Sequence, residues 1–251
     1  MIELRERDGG IAVITMQHGK ANALDTAFCD KIAETFHALR AAPARAVIIT
    51  GQGRMFSAGV NLTMLLEGGA PYVRAFLPAL HRLYDAVFNF PKPVVAAVNG
   101  HAIAGGCVLA CAADRRLMAR ETGTMGITEL RVGVPFPALA LEVMRFATVP
   151  RFLPEVLLGA GTYPPQRAVE RGWIDEIVEP ADLLDHAIVA AKALAEISPP
   201  AFALSKRQLH QDALDRLARE GKQIDELAME IWCADATFHV IRGYVAKTLK
   251  K

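Results

Sequence analysis

Short continuous apolar runs recur along the chain, and segments with helical spacing separate them. The runs AVIIT at 46–50 and PVVAAV at 93–98 are typical of strands buried on both faces of a parallel sheet. Elsewhere apolar residues recur at helical spacing, as in the helix predicted from Thr26 to Arg40, which Asp25 can cap. The pattern therefore predicts an α/β chain built from repeated strand and helix units.

The two ends of the chain differ in pattern. A hairpin is predicted over 2–16, closed by the Asp-Gly-Gly turn at 8–10. The segment 62–90 contains two glycines and two prolines and predicts a helix, a loop and a second helix. Toward the C-terminus nearly every residue favours helix. We therefore predict a core over 1–195 and a helical C-terminal subdomain over 196–251.

Length and charge limit the class of protein. A chain of 251 residues with 52% hydrophobic residues can form one main α/β domain. A net charge of +1 gives no sign of a nucleic-acid partner or an anionic membrane surface. No apolar run approaches the roughly twenty residues that span a bilayer. Because no leader pattern opens the chain, we expect a cytoplasmic protein that does not act at a membrane.

Cysteine and histidine spacing gives no metal motif. The four cysteines form no CxxC pair, and we expect buried reduced thiols and no bound metal. Cys107 has no basic neighbour in the sequence that would activate it as a nucleophile.

Two glycine-containing turns each follow an apolar strand and precede a helix. One is NGHAIAGGCVLACAAD at 99–114, and the other is MFSAGVNL at 55–62. The free N–H groups at such a helix start favour an anion, or a carbonyl that becomes one. The alternative is that Gly105 and Gly106 only allow close packing of helix on sheet.

Four segments, taken together and in order, resemble the crotonase superfamily, which is the enoyl-CoA hydratase/isomerase family. They are GKANALD at 19–25, FSAGVNL at 56–62, KPVVAAVNGHAIAGGC at 92–107 and AVERGWIDEIV at 168–178. The resemblance implies a spiral of ββα units with a helical C-terminal subdomain. That subdomain would cover the acyl pocket and form the contacts of a homotrimer or a dimer of trimers.

The resemblance also implies an oxyanion hole and a catalytic acid–base residue. In the family two backbone N–H groups bind the thioester oxygen, and the matching positions here are Val60 and Gly105. Glu129 lies where family members carry a catalytic glutamate. Its apolar neighbours, such as Ile127, predict burial and a raised carboxyl pKa, whereas a surface position beside Arg131 is the alternative.

Coenzyme A is expected as part of the substrate, with no separate cofactor. By resemblance the loop that contains Lys20 and Ala21 and the backbone of Ser57 and Ala58 lie along it. Lys20 can equally be an ordinary solvated lysine. Pocket candidates, each with ordinary core packing as the alternative, are Met64, Leu65, Phe76 and Leu80. Val108 is expected to pack against the acyl chain.

Position 108 separates the activities within the family. Hydratases of the family use two glutamates, and here the position of one is Val108, which leaves Glu129 alone. The stretch GITELRVGVPF at 126–136 resembles the mitochondrial type of isomerase that shifts a double bond from C3 to C2 of an enoyl-CoA. We therefore expect a Δ3,Δ2-enoyl-CoA isomerase, with an enoyl-CoA hydratase as the alternative.

Other classes remain open at this point. A non-catalytic acyl-CoA-binding protein would keep both N–H turns without needing Glu129. A dehalogenase or decarboxylase would need its own catalytic residue, and His101 has no evident partner. A dinucleotide-dependent oxidoreductase is disfavoured because no GxGxxG follows an early strand.

Overall fold

The computed structural model describes residues 1–248, and residues 249–251 of the predicted subdomain lie outside the described residues. The strands are β1 Ile2–Arg7, β2 Ile11–Met16, β3 Ala46–Thr50, β4 Met55–Ser57, β5 Val94–Val98, β6 His101–Ile103, β7 Arg115–Ala119, β8 Met125–Gly126, β9 Thr162–Tyr163 and β10 Glu176–Val178.

The helices alternate with these strands in the first two thirds of the chain. They are α1 Thr26–Ala41, α2 Leu62–Phe88, α3 Gly105–Cys111, α4 Ala138–Ala147, α5 Leu153–Gly159, α6 Pro165–Glu170, α7 Leu183–Ala195, α8 Pro199–Arg216, α9 Lys222–Trp232 and α10 Asp235–Thr248. Short 3-10 helices cover Glu129–Val132 and Pro150–Phe152, and a π turn covers Leu217–Gly221.

The strands form two sheets. The larger has the order β1-β2-β3-β5-β7-β10, and the smaller has the order β4-β6-β8-β9. The β1–β2 hairpin and the β8–β9 pair are antiparallel, while all other neighbours run parallel. Three consecutive units, β3-β4-α2, β5-β6-α3 and β7-β8-α4, each place their first strand in the larger sheet and their second in the smaller. This confirms the predicted spiral of ββα units.

Burial of the larger sheet on both faces explains its continuous apolar strands. Val47 and Ile49 of β3 pack into the main core, where α1 and α2 also lie. Ile48, between them, faces the opposite way and packs against Ala187 and Ala191 of α7. Because neighbouring residues of a strand point to opposite faces, helices on both sides require apolar residues throughout.

Two predicted helices show how local chemistry fixes their bounds. Asp25 caps α1 by accepting a hydrogen bond of 2.8 Å from the N–H of Phe28, as expected. The predicted loop within 62–90 is shorter than expected, because α2 breaks only at Gly69, which has φ 59° and ψ −155°. Pro71 lies in the first turn after this break, where a missing N–H is tolerated.

The C-terminal helices pack directly on the core. α9 and α10 contact α2, α8 contacts α4, and α10 contacts the 3-10 helix Glu129–Val132. Within residues 1–248 no single helix is long and apolar enough to cross a membrane. Leu183–Ala195 and Pro199–Trp232 meet that test of length and composition only as a pair bent by 101°.

Candidate active site

The loop after β4 and the loop before α3 lie in direct contact. A Cβ on Gly59, which has φ 79°, would lie 2.6 Å from the carbonyl oxygen of Ile103 and 3.0 Å from the amide nitrogen of Gly105. Only glycine permits this approach, so the sequence brings the amides of Val60 and Gly105 into one region.

Hydrogen bonds to the neighbouring carbonyls fix the direction of both amides. The carbonyl of Gly59 accepts from the N–H of Leu24 at 2.7 Å, and that of Ala104 accepts from the N–H of Cys107 at 2.8 Å. In a trans peptide the N–H points away from the C=O, so the Val60 and Gly105 N–H groups face away from these partners. Neither N–H has an acceptor within residues 1–248. Each of the two N–H groups is therefore free to donate a hydrogen bond to a ligand.

Ala104, which precedes the Gly105 amide, is held in an unfavourable backbone conformation. It has φ 50° and ψ −127°, a region that residues with a Cβ rarely occupy, at a cost of about 1–3 kcal/mol. Its N–H donates to the carbonyl of Gly126 at 2.7 Å, which holds the loop against the smaller sheet. Such strain is found more often at functional sites than elsewhere.

Glu129 begins the 3-10 helix that follows β8, and its side chain lies inside the protein. The residue is only 7% exposed, and its Oε2 atom is buried without a hydrogen-bond partner. Burial raises the pKa of Glu129 to about 7, while the backbone N–H groups of Glu129 and Thr128 oppose the shift. The carboxyl can therefore take up or release a proton near neutral pH.

A small cavity of about 70 Å³ joins these parts. Val60 and Ala104 line it on one side, and Glu129 is the single carboxylate in its wall among the described residues. Leu62 of α2, Trp232 of α9 and Tyr244 of α10 complete the enclosure. The cavity is largely apolar and places one proton acceptor near Val60 and Ala104, whereas Gly105, the residue after Ala104, does not line it.

Two contacts hold the start of α3 in place, one at Gly106 and one at Gly105. A Cβ on Gly106 would overlap the carbonyl of Ser57, so this glycine is needed for packing, which was the alternative for the glycine pair. The hydroxyl of the fully buried Tyr84 donates to the carbonyl of Gly105 at 3.1 Å. Burial, and then the charge of Glu129, raise the pKa of Tyr84. Sequence reasoning did not identify Tyr84, because it lies on an apolar helix face twenty-one residues away.

The residues expected along coenzyme A are joined in one pair of loops. The carbonyl of Ala21 accepts from the N–H of Ala58 at 2.9 Å, and Ser57 Oγ donates to the carbonyl of Asn22 at 2.8 Å. Lys20 is exposed at the tip of this structure. Asn22, which sequence reasoning also missed, is buried and donates from its side-chain amide to the carbonyl of Phe56 at 3.1 Å.

The pocket candidates of α2 and α3 divide into two groups. Met64 is exposed, whereas Leu65 and Val108 are fully buried members of the main core, together with Phe76 and Leu80. None of these five residues lines the 70 Å³ cavity, which instead takes Leu62 from α2. Leu62 is the first residue of α2, and it is the residue of that helix that lines the cavity.

The other reactive side chains are engaged or inert. Burial raises the thiol pKa of Cys107 well above its usual value. His101 Nδ1 lies 3.1 Å from the N–H of Thr124, which donates to it. Within residues 1–248 no group of three or more His, Cys, Asp or Glu side chains could hold a metal ion.

Comparisons with known proteins agree with this architecture. A family model described as enoyl-CoA hydratase/isomerase matches residues 6–245. A carnitinyl-CoA dehydratase of Escherichia coli is 34% identical over 80% of this chain and 77% of its own length. A putative enoyl-CoA hydratase of Thermus thermophilus is 32% identical over 80% of this chain and 81% of its own.

A solved structure extends the match to the whole fold. Human mitochondrial Δ3-Δ2-enoyl-CoA isomerase superposes with a TM-score of 0.93, covering 99% of this chain and 98% of its own, at 21% identity. At this identity the match shows the shared fold. The chain belongs to the enoyl-CoA hydratase/isomerase family, as its resemblance to the crotonase superfamily implies.

Proposed function

We propose that the protein is a Δ3,Δ2-enoyl-CoA isomerase that uses Glu129 as its one acid–base residue. The observation that carries this proposal is the single unpaired carboxylate in an apolar cavity. Valine at position 108, in the core, means that no second glutamate stands at that position. Moving one proton between two carbons needs one base, whereas adding water across a double bond needs groups that also hold the water.

The proposed reaction begins with the thioester oxygen at the N–H groups of Val60 and Gly105. The Glu129 carboxylate removes a proton from C2, and the C–H electrons form a C2–C1 double bond while negative charge collects on the oxygen. The protonated Glu129 then returns the proton to C4. The electrons of the C3–C4 double bond form the new C4–H bond, the electrons of the C1–C2 double bond move to C2–C3, and the negative charge on the oxygen re-forms the thioester carbonyl. Preorganised N–H donors stabilise the dienolate, and loss of one such donor typically costs about 10²–10³ in rate.

An enoyl-CoA hydratase is the second candidate, because the two curated relatives are named as a dehydratase and a putative hydratase. In that reaction Glu129 would act on a water. Thr128 and Tyr244 also line the cavity, and their hydroxyl groups could hold that water.

We also propose how the coenzyme A part of the substrate is bound. The Ala58 N–H and the Ser57 hydroxyl already donate hydrogen bonds within the protein. These two residues therefore contact coenzyme A through the shape of their surface and through their other backbone groups. Lys20 is exposed beside Ala21 and supplies a positive charge for a phosphate. No cofactor beyond the substrate's own coenzyme A is required by this chemistry.

The proposal includes a homotrimer or a dimer of trimers. Several large apolar side chains of the C-terminal helices remain exposed, which favours self-association. They are Leu204, Leu209, Leu227 and Ile231. Light scattering that shows a stable monomer at micromolar concentration would contradict this part.

Two substrates given separately test the proposed activity. We expect the protein to convert 3-hexenoyl-CoA to the conjugated 2-enoyl thioester faster than it hydrates 2-hexenoyl-CoA. The ultraviolet absorbance of the conjugated thioester measures the first reaction. Faster formation of 3-hydroxyhexanoyl-CoA would establish the hydratase instead. Tight binding of both without turnover, unchanged in Glu129→Gln, would identify a non-catalytic acyl-CoA-binding protein.

A further inference from the structure

A second and much larger cavity lies next to the catalytic one along the same two segments of chain. It has a volume of about 740 Å³, against about 70 Å³ for the cavity at Glu129. Its apolar wall includes Leu77 and Pro78 of α2 and Ala228 and Met229 of α9, with charged side chains at its rim.

Helix α9 and the segment 134–137 each contribute to both cavities. Val134 lines the catalytic cavity and Pro137 lines the larger one. Likewise Trp232 lines the catalytic cavity, while Ala228, one helical turn earlier on the same buried face, lines the larger one.

The indole of Trp232 connects these two segments where they pass between the cavities. Its Nε1–H donates to the carbonyl of Pro135 at 2.9 Å, and the residue is 1% exposed. A buried tryptophan held by its one hydrogen bond is fixed in position. Trp232 therefore closes the catalytic cavity on the side of the larger one.

We infer that Trp232 sets the acyl-chain length, because it separates the catalytic cavity from the larger one and so limits the substrates to short acyl chains. The inference rests on the proposed function, since it names the substrate class of that site. At roughly 30 Å³ for each water-sized group, the catalytic cavity of about 70 Å³ holds only two or three such groups, so it has little room for a long acyl chain. Pockets that enclose larger ligands measure about 300–1,000 Å³.

Calorimetric binding of saturated acyl-CoA thioesters, from butyryl to dodecanoyl, tests this without depending on which reaction is catalysed. For the wild type, affinity is expected to rise up to hexanoyl-CoA and then to level off or fall. In Trp232→Leu the larger cavity becomes accessible, and each further buried methylene is expected to add about fourfold in affinity. Decanoyl-CoA then binds up to about 200-fold more tightly than hexanoyl-CoA.

The second tryptophan of the chain provides a matched control. Trp173 is also fully buried, and its Nε1–H donates to Thr148 Oγ1 at 2.8 Å. Trp173→Leu should lose stability in a similar way and keep the wild-type dependence on chain length. Trp232→Phe, which keeps a bulky ring, should lengthen the accepted chain less than Trp232→Leu.

Two results would overturn the inference: wild-type affinity that keeps rising beyond hexanoyl-CoA, or the same length profile in Trp232→Leu and Trp173→Leu. The wild-type series decides by itself if Trp232→Leu does not fold. If the wild type binds no acyl-CoA of any length, the proposed function itself is contradicted. If it binds acyl-CoA without a limit on chain length, only the inference about Trp232 fails.

Discussion

Replacing Glu129 by glutamine should increase stability at alkaline pH while removing activity. Burial raises the pKa of this carboxyl from an ordinary 4.5 to about 7, so the folded protein keeps a proton that the unfolded chain has lost. Between these values the unfolded state binds fewer protons, and stability falls as pH rises. At 1.36 kcal/mol for each pH unit, the loss for the wild type reaches about 1 kcal/mol at pH 5 and about 3 kcal/mol at pH 8.

Urea unfolding of wild type and Glu129→Gln at both pH values measures this difference. Any fixed effect of the amide cancels, so the variant should gain about 2–3 kcal/mol relative to wild type between pH 5 and pH 8. Glu142 is the matched control, because it is equally buried but lies 2.8 Å from Arg216, and Glu142→Gln should lose stability at pH 8. A pH-independent difference between wild type and Glu129→Gln would refute the reasoning.

Further predictions concern the same site. Below about pH 7, kcat/KM should fall about tenfold for each pH unit, because Glu129 must be ionised to accept a proton, and a flat pH profile would exclude it as the base. Val60→Pro removes one oxyanion donor and should lower kcat by about 10²–10³, whereas Val60→Ala keeps the N–H and most activity. Tyr84→Phe should lower kcat with little change in KM, since it frees the carbonyl of Gly105; an equal rise in KM would point to a binding role. Val108→Glu should gain measurable hydration of 2-hexenoyl-CoA and lose stability by several kcal/mol, because it buries a carboxyl group in the core; unchanged hydration would separate position 108 from the reaction.

The larger sheet could be predicted from the sequence because its strands are buried on both faces. For β3 and β5 this produces continuous apolar runs that no amphipathic helix would show. The smaller sheet could not be predicted. Its strands β4, β6 and β8 have only two or three residues each, so their pairing depends on tertiary contacts.

The helical character of the C-terminal segment could be predicted from the sequence, whereas the bounds of its helices could not. Glycines at 221 and 243 favour interruptions of a helix in the sequence, yet the chain stays helical through both, with a π turn at Leu217–Gly221. A glycine within a helix costs only about 1 kcal/mol, which the packing of its neighbours offsets.

The site shows the same division between local and distant information. Val60, Gly105 and Glu129 lie in recognisable segments, and the burial of Glu129 follows from its apolar neighbours. The cavity wall comes from Trp232 and Tyr244, more than a hundred residues from Glu129 in sequence, and no local pattern links them. Trp232, a large apolar residue on the amphipathic helix α9, was the one feature of the sequence that pointed to this wall.

The most direct test of the single-base account is a single turnover of 3-hexenoyl-CoA carrying deuterium at both C2 positions, in ordinary water. Because Glu129 is buried and is the one carboxylate in the cavity wall among the described residues, the deuterium that it removes from C2 should be returned before it exchanges. The account predicts 2-hexenoyl-CoA with deuterium at C4, read by mass spectrometry and NMR. A product with only solvent hydrogen at C4 would contradict it.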